Sequence, residues 1–284
     1  MIPRSWLFVP ADSERKLARA RESDAGAVIL DLEDAVAPDR KDVARRMASL
    51  WLRMRAPSPA AWVRINALDT GLAMPDLAAV VGARPDGIVL PKCSGREDLV
   101  RLDAALAALE ACEGLPERSL RVLPIVTETP TALFALGQYS GAPRLAALTW
   151  GGEDLAAALG ARANRREDGT WDEPYRIARA LVLLAASAAG VPALDTVHAD
   201  VRDLEGLRRD SAEARRMGFA GRLAIHPDQV PVIEDAFAPT AEERAWAERV
   251  IAAFDAAPGA GVVALEGRMI DRPHLLQARR ILGS

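Results

Sequence analysis

The sequence predicts an α/β fold, a parallel TIM (β/α)8 barrel followed by a C-terminal helical extension that either packs on the outside of the barrel or reaches over to cap a neighbouring subunit. Three observations predict it: eight short β-branched or aromatic runs, longer amphipathic stretches between them, and a span of about 240 residues for the whole alternation. An open doubly wound sheet is the runner-up, and nothing in the sequence marks the switch point it would need.

The first run, SWLFVPA (5–11), leads into SERKLARARES, which has a Ser at its start. AVILDLE (27–33) leads into DRKDVARRMASLWLRM, and AWVRIN (61–66) follows. GIVLPK (87–92) precedes REDLVRLDAALAALEAC, then come VLPIVTE (122–128) and LAALTWG (145–151). YRIARALVLLAASAAG separates these from ALDTVHAD (193–200), and DLEGLRRDSAEARRMG precedes the eighth run, RLAIHP (222–227). Helix starts carry Ser, Asp or Pro and several ends carry Gly, as helix termini require. We therefore expect a catalytic barrel over residues 1–237. Residues 238–284 would form a helical extension or lid, whose first helix has a capping-box start at Thr240 and Glu243.

With 284 residues the chain can bury a large core. Its 36 basic and 40 acidic residues give a formal charge of −4 and are spread along the chain, so no basic face suggests nucleic acid or a membrane surface. Two cysteines suggest neither a disulfide framework nor a zinc knuckle, and no apolar run approaches the roughly 18 residues of a membrane span. With no signal-like N-terminus, a cytoplasmic location is expected.

In a barrel, chemistry sits at the C-terminal ends of the strands. Asp31, Glu33 and Asp34 end the second run, Arg64 and Asn66 the third, Lys92 the fourth and Glu128 the fifth, while Glu153 and Asp154 follow the sixth. Carboxylates crowded on one rim repel and raise one another's pKa unless a cation compensates. Glu128 and Asp154, one from each of two adjacent runs, are how Mg²⁺ is usually held, and no His or Cys cluster invites zinc or copper. Gly151 and Gly152 would let the backbone approach a ligand and offer N–H groups to its oxygens. Asp154 also has a plain reading as the N-cap of the following helix.

Taken together, RSWLFVPADSERKLARA, DAGAVILDLEDAV, WVRINALDT, DGIVLPK, IVTET, WGGEDLAAALG, GFAGRLAIHPDQVPVI and GRMIDRPHLLQA resemble the citrate lyase β-subunit group of the HpcH/HpaI aldolase and citrate lyase superfamily. The similarity covers nearly the whole chain. It implies a TIM barrel, a Mg²⁺ cofactor, homo-oligomers such as trimers or hexamers, and reversible carbon–carbon cleavage of 3-hydroxyacyl thioesters linked to CoA or acyl-carrier protein. A dedicated citrate lyase subunit would also need α and γ partner subunits.

By the same resemblance, Glu128 and Asp154 match the metal ligands and Arg64 the arginine that contacts the reacting oxygens. Glu33 and Asp34 match an acidic pair near the metal's waters, and Gly152 lies in the loop that would meet substrate. Asp271 matches the acid that a neighbouring subunit's tail supplies as acid or base. The family's usual GAED reads GGED here, and its GFxGK reads GFAGR, so Arg222 replaces a lysine.

Other polar residues have plainer readings. Cys93 is a packed or semi-exposed thiol, His198 and His226 are hydrogen-bonded rim residues, and Lys92 pairs with a rim acid. GAGVVA at 259–264 is a tight turn and not a nucleotide loop. Arg165 to Asp168, with Arg15 and Lys16, could meet CoA phosphates. The competing functions are a class II pyruvate-type aldolase on free hydroxy acids, a malate-synthase-like or thioesterase variant, and a non-catalytic subunit. The aldolase predicts His at position 34, where this chain has Asp.

Overall fold

The run Ala27–Asp31, AVILD, is buried along its whole length, as a strand covered on both faces must be. It belongs to a parallel sheet in the computed structural model, which describes residues 2–283. Among the described residues the sheet has seven strands: β1 (Ser5–Pro10), β2 (Ala27–Asp31), β3 (Ala60–Arg64), β4 (Gly87–Leu90), β5 (Arg121–Pro124), β6 (Leu194–Asp195) and β7 (Gly221–Ala224). Their order is β5-β4-β3-β2-β1-β7-β6, and the sheet is curled. Ile2–Phe237 forms one compact unit, and the chain from Ala238 onward forms a second.

Side chains alternate between the two faces of each strand. On one face Trp6, Ala27, Ile29, Trp62, Val89, Leu123, Leu194 and Leu223 form a cluster of their own, with the Trp6 and Trp62 rings 5.1 Å apart in an edge contact. On the other face Leu7, Val28, Leu30, Val63, Ile88 and Val122 pack with helix residues such as Leu17, Trp51, Leu77, Leu102 and Leu207. The Trp6 face runs out of apolar residues toward the strand ends: two residues beyond Ile29 is Asp31, and two beyond Trp62 is Arg64. Strand period alone therefore places these charges on that face at the C-terminal rim.

The expected strand 145–151 is not a regular strand. Leu145 bridges Val122, Thr149 bridges Ile125, and Leu148 bridges Ala193, all in parallel. The register against β5 slips by one residue between the first two bridges. Pro124 has no N–H to continue the ladder, and its carbonyl accepts from Thr149 at 3.2 Å.

In the second unit the helix Ala241–Asp255 begins with the expected capping box, Thr240 and Glu243 bonding reciprocally. The extension is not wholly helical. β8 (Val262–Leu265) and β9 (Arg268–Asp271) form an antiparallel hairpin, because Val262 and Val263 favour strand and Glu266 and Gly267, at φ 51° and 74°, make a two-residue turn. The helix Arg272–Leu282 follows, and Ala247, Val250, Phe254, Ile270 and Ala278 form this unit's core. Among the described residues no helix is long and apolar enough to cross a membrane.

Candidate active site

Asp31 and Arg64 are register partners on β2 and β3. Arg64 donates Nε to Asp31 Oδ1 at 2.8 Å and Nη2 to Oδ2 at 2.6 Å, a bidentate pair. Its Nη1 lies 2.9 Å from Glu33 Oε2, out of hydrogen-bond alignment, so that buried oxygen has an ion-pair partner but no hydrogen bond. The guanidinium also covers the Phe8 ring at 4.7 Å. Burial alone would lower the Arg64 pKa, but Asp31 and Glu33 outweigh it and raise it.

Glu33 is buried, and desolvation raises its pKa against the opposing charges of Arg64 and Lys92. Lys92 Nζ reaches Glu33 Oε1 at 2.6 Å, Asp34 Oδ2 at 3.3 Å and Asp154 Oδ1 at 3.6 Å. Lys92 thus pairs with rim acids, as read from the sequence. Burial would depress its ammonium, but Glu33, Glu128 and Asp154 together raise its pKa. The Lys92 backbone is left-handed, φ 52°, in a residue that is not glycine, and its N–H donates to Glu128 Oε2.

Glu128 lies four residues past the end of β5 and is 4% exposed. Desolvation and then the neighbouring Asp154 charge push its pKa up to about 8, against the Lys92 N–H and ammonium. Burial, with the Asp154 charge second, thus favours the protonated form of this carboxyl more than water would. Gly151 borders it so closely that a Cβ there would stand 2.9 Å from Glu128 Cγ. Asp154 is the third residue of the helix Gly152–Leu159, and Gly151 is its N-cap, so Asp154 is not the cap. The donor chemistry suits a hard divalent cation: two carboxylates, one buried with raised proton affinity, at a rim that also carries Asp31, Glu33 and Asp34. Among the described residues no group of three or more His, Cys, Asp or Glu side chains is arranged as a metal cage. A carboxylate pair is what Mg²⁺ takes alongside water and substrate oxygens.

The glycine pair does only part of what was expected of it. The Gly151 N–H is used by Thr127 Oγ1 at 3.1 Å, so it is not offered to a ligand. Gly152 opens its helix, and a Cβ there would meet the Trp171 ring at 3.1 Å, so close packing is one reason for glycine at this position. Asp271 belongs to the second unit. It is the N-cap of the last helix and shares a capping box with His274, whose contact lowers its pKa. Within this chain that is opposite to the upward shift a proton donor would use.

Sequence reading missed several residues that support the rim. Lys41 Nζ donates to the carbonyls of Leu32 and Glu33 at 2.7 and 2.8 Å and to Asn66 Oδ1 at 2.9 Å, fixing the loop that carries Glu33. Asn66 and Arg45 both bond the fully buried Asp76. Asp195 accepts from Trp150 Nε1 at 2.8 Å and pairs with Arg179 at 2.9 Å and Arg222 at 3.1 Å. The detectable signal was a charge set inside an apolar run, as in ALDTV and GRLAI.

Arg165 is stacked 3.7 Å over Trp171 and paired with Asp210, so it is committed to packing and is not free for phosphate. Arg15 and Lys16 are exposed on the helix Glu14–Arg21. His198 is buried between Asp203 and Asp210, at 3.3 and 3.6 Å, with no hydrogen bond to either ring nitrogen among the described residues. Its ring thus faces two carboxylates, and the expected backbone hydrogen bonds to it are not made among the described residues. His226 is half-buried, and its Nδ1 accepts from Asp228 N at 3.2 Å. Cys93 is buried beside Tyr139, and burial pushes its thiol up to about 11, which suits a packed residue and not a nucleophile.

Comparison with known proteins places this geometry among relatives. The family model described as HpcH/HpaI aldolase/citrate lyase matches residues 4–227. The crystal structure of the protein CitE from Mycobacterium tuberculosis, in complex with magnesium, acetoacetate and coenzyme A, superposes with a TM-score of 0.79 at 37% identity, covering 99% of this chain and 97% of that one. Mitochondrial citramalyl-CoA lyase of Rattus norvegicus is 35% identical over 98% of this chain and 85% of its own length. The (3S)-malyl-CoA thioesterase of Cereibacter sphaeroides is 36% identical over 98% of this chain and 93% of its own length.

Proposed function

Because the chain belongs to the HpcH/HpaI aldolase/citrate lyase family, we propose that it is a Mg²⁺-dependent carbon–carbon lyase. It cleaves, or forms, a 3-hydroxyacyl thioester of the citryl, malyl or citramalyl type, giving an acetyl-type thioester and a 2-oxo acid. The single observation that carries this reading is that the carboxylates of Glu128 and Asp154 come together at the C-terminal rim around Lys92, whose N–H holds the first and whose ammonium lies 3.6 Å from the second. Relatives crystallised with magnesium and coenzyme A, or named as CoA-thioester enzymes, support the same assignment.

Mg²⁺ held by Glu128 and Asp154 supplies Lewis-acid polarisation and a template for the substrate's oxygens. The remaining work falls to side chains of this protein. Arg64 is fixed on one edge by Asp31, and its permanent positive charge would stabilise the oxygen that gains charge as the bond breaks. Glu33 and Asp34, anchored by Lys92, hold water and protons near the reacting hydroxyl. Asp271 from a neighbouring copy moves the proton of the acetyl-type carbon. The working form is a homo-oligomer, a trimer or hexamer, with residues 1–237 as a closed (β/α)8 catalytic domain and residues 238–284 as its lid. CoA or acyl-carrier protein carries the thioester, and the citrate lyase α and γ subunits are partners only if the carrier form is used.

The test offers citryl-, malyl- and citramalyl-CoA in parallel with Mg²⁺ and separates acetyl-CoA from free CoA. Acetyl-CoA with a 2-oxo acid, abolished by EDTA and by Glu128→Ala, is the expected result. Free CoA alone makes the chain a thioesterase, and no turnover on any of the three overturns the stand-alone lyase.

A further inference from the structure

The main chain and the side chain of Lys92 both engage the acidic cluster. Its N–H fixes Glu128 Oε2, and its ammonium lies within ion-pair distance of Glu33, Asp34 and Asp154. Its ammonium is neither a solvated surface charge nor half of an isolated pair. Glu33, its nearest partner, is buried and leaves one oxygen without a hydrogen bond. The backbone holds Lys92 at φ 52°, a conformation costly outside glycine and kept only where the surroundings impose it. That conformation lets a single residue address Glu128 with its amide and Asp154 with its side chain.

We infer that Lys92 is a resident counter-cation, a positioning residue that keeps the acidic rim assembled and competes with the divalent cation for Asp154. The inference rests on the reading of Glu128 and Asp154 as the cation's ligands. Coulomb's law sets its direction: a positive charge 3.6 Å from Asp154 Oδ1 weakens the potential that draws a second cation to this carboxylate. Lys92 therefore weakens metal affinity, unlike a residue that merely props the site open, whose loss would weaken binding further.

The test measures Mn²⁺ binding to the full-length protein by electron paramagnetic resonance, without substrate or turnover. Lys92→Gln and Lys92→Met remove the charge, Lys92→Gly also relieves the backbone, and Lys92→Arg keeps the charge. The three neutral variants should bind Mn²⁺ at least about tenfold more tightly than wild type, a change worth about 1.4 kcal/mol, and Lys92→Arg should stay near wild type. Any folded neutral variant that binds Mn²⁺ equally or more weakly overturns the inference. Asp154→Asn keeps the two readings apart: if it leaves Mn²⁺ binding intact, the proposed ligand pair itself is wrong, whatever the Lys92 variants do.

Discussion

Asp31 grips two nitrogens of Arg64, Nε at 2.8 Å and Nη2 at 2.6 Å, from the neighbouring strand. The arginine assigned to the reacting oxygens is thus held from behind by a strand residue that is itself 1% exposed. Asp31→Asn removes the bidentate acceptor and leaves the guanidinium free to turn. We expect kcat/KM to fall by about 10²-fold, the cost of a small misplacement of a catalytic group, with secondary structure retained by circular dichroism. Unchanged kinetics would mean that Arg64 does not need this support.

Glu128→Gln keeps the shape of the side chain and removes its charge. Mn²⁺ affinity should fall by more than the roughly 100-fold that supporting partners of a metal site contribute, and EDTA treatment of the wild type should give the same loss of turnover. Titration calorimetry reads the first effect. An affinity within a few-fold of wild type would remove Glu128 from the ligand set.

Asp271→Asn separates capping from chemistry. Asn caps a helix about as well as Asp, so the thermal midpoint should hold, and Mn²⁺ binding should be untouched. Turnover should fall by at least about 10²-fold, the low end of what a general acid or base contributes. A variant with full turnover would leave Asp271 as a cap only.

Glu110 and Arg144 make a stability prediction away from the rim. Arg144 reaches both oxygens of Glu110 at 2.7 and 2.8 Å, and the pair is almost fully buried. Burial would raise the Glu110 pKa, but Arg144 and the N–H groups of Leu120 and Arg118 hold it down to about 2. A carboxyl depressed from 4.5 contributes stability that is complete above pH 4.5 and is lost as pH falls toward 2. Urea unfolding of wild type should therefore steepen in pH dependence across that window. Glu110→Gln should lose about 3 kcal/mol at neutral pH and show a flatter acid limb; a limb as steep as wild type would contradict the linkage.

The strands were legible wherever an apolar run was continuous, as in AVILD and GIVL. Composition could not reveal the slip at Leu145 to Thr149, which depends on the missing N–H of Pro124 in a neighbouring strand. Glu128, Asp154, Glu33 and Asp34 could be placed on one rim by strand order alone. The Asp31 and Arg64 pairing needed the register of β2 against β3, and the commitment of Arg165 to Trp171 needed three dimensions. The hairpin in the tail is hidden by the helical periodicity on either side of it, and only Val262, Val263 and the Glu266–Gly267 turn signal it.

β1 lies between β2 and β7, so residues near the start of the chain are flanked by residues 221–224. During synthesis one edge of that strand stays unpaired until more than two hundred further residues have left the ribosome, on the order of 10–40 s at usual elongation rates. Through that interval an apolar edge in the nascent chain is open to wrong partners. Expression of this protein should therefore respond to slowed translation, to chaperone supply and to solubilising fusions at the N-terminus more strongly than its finished stability would indicate.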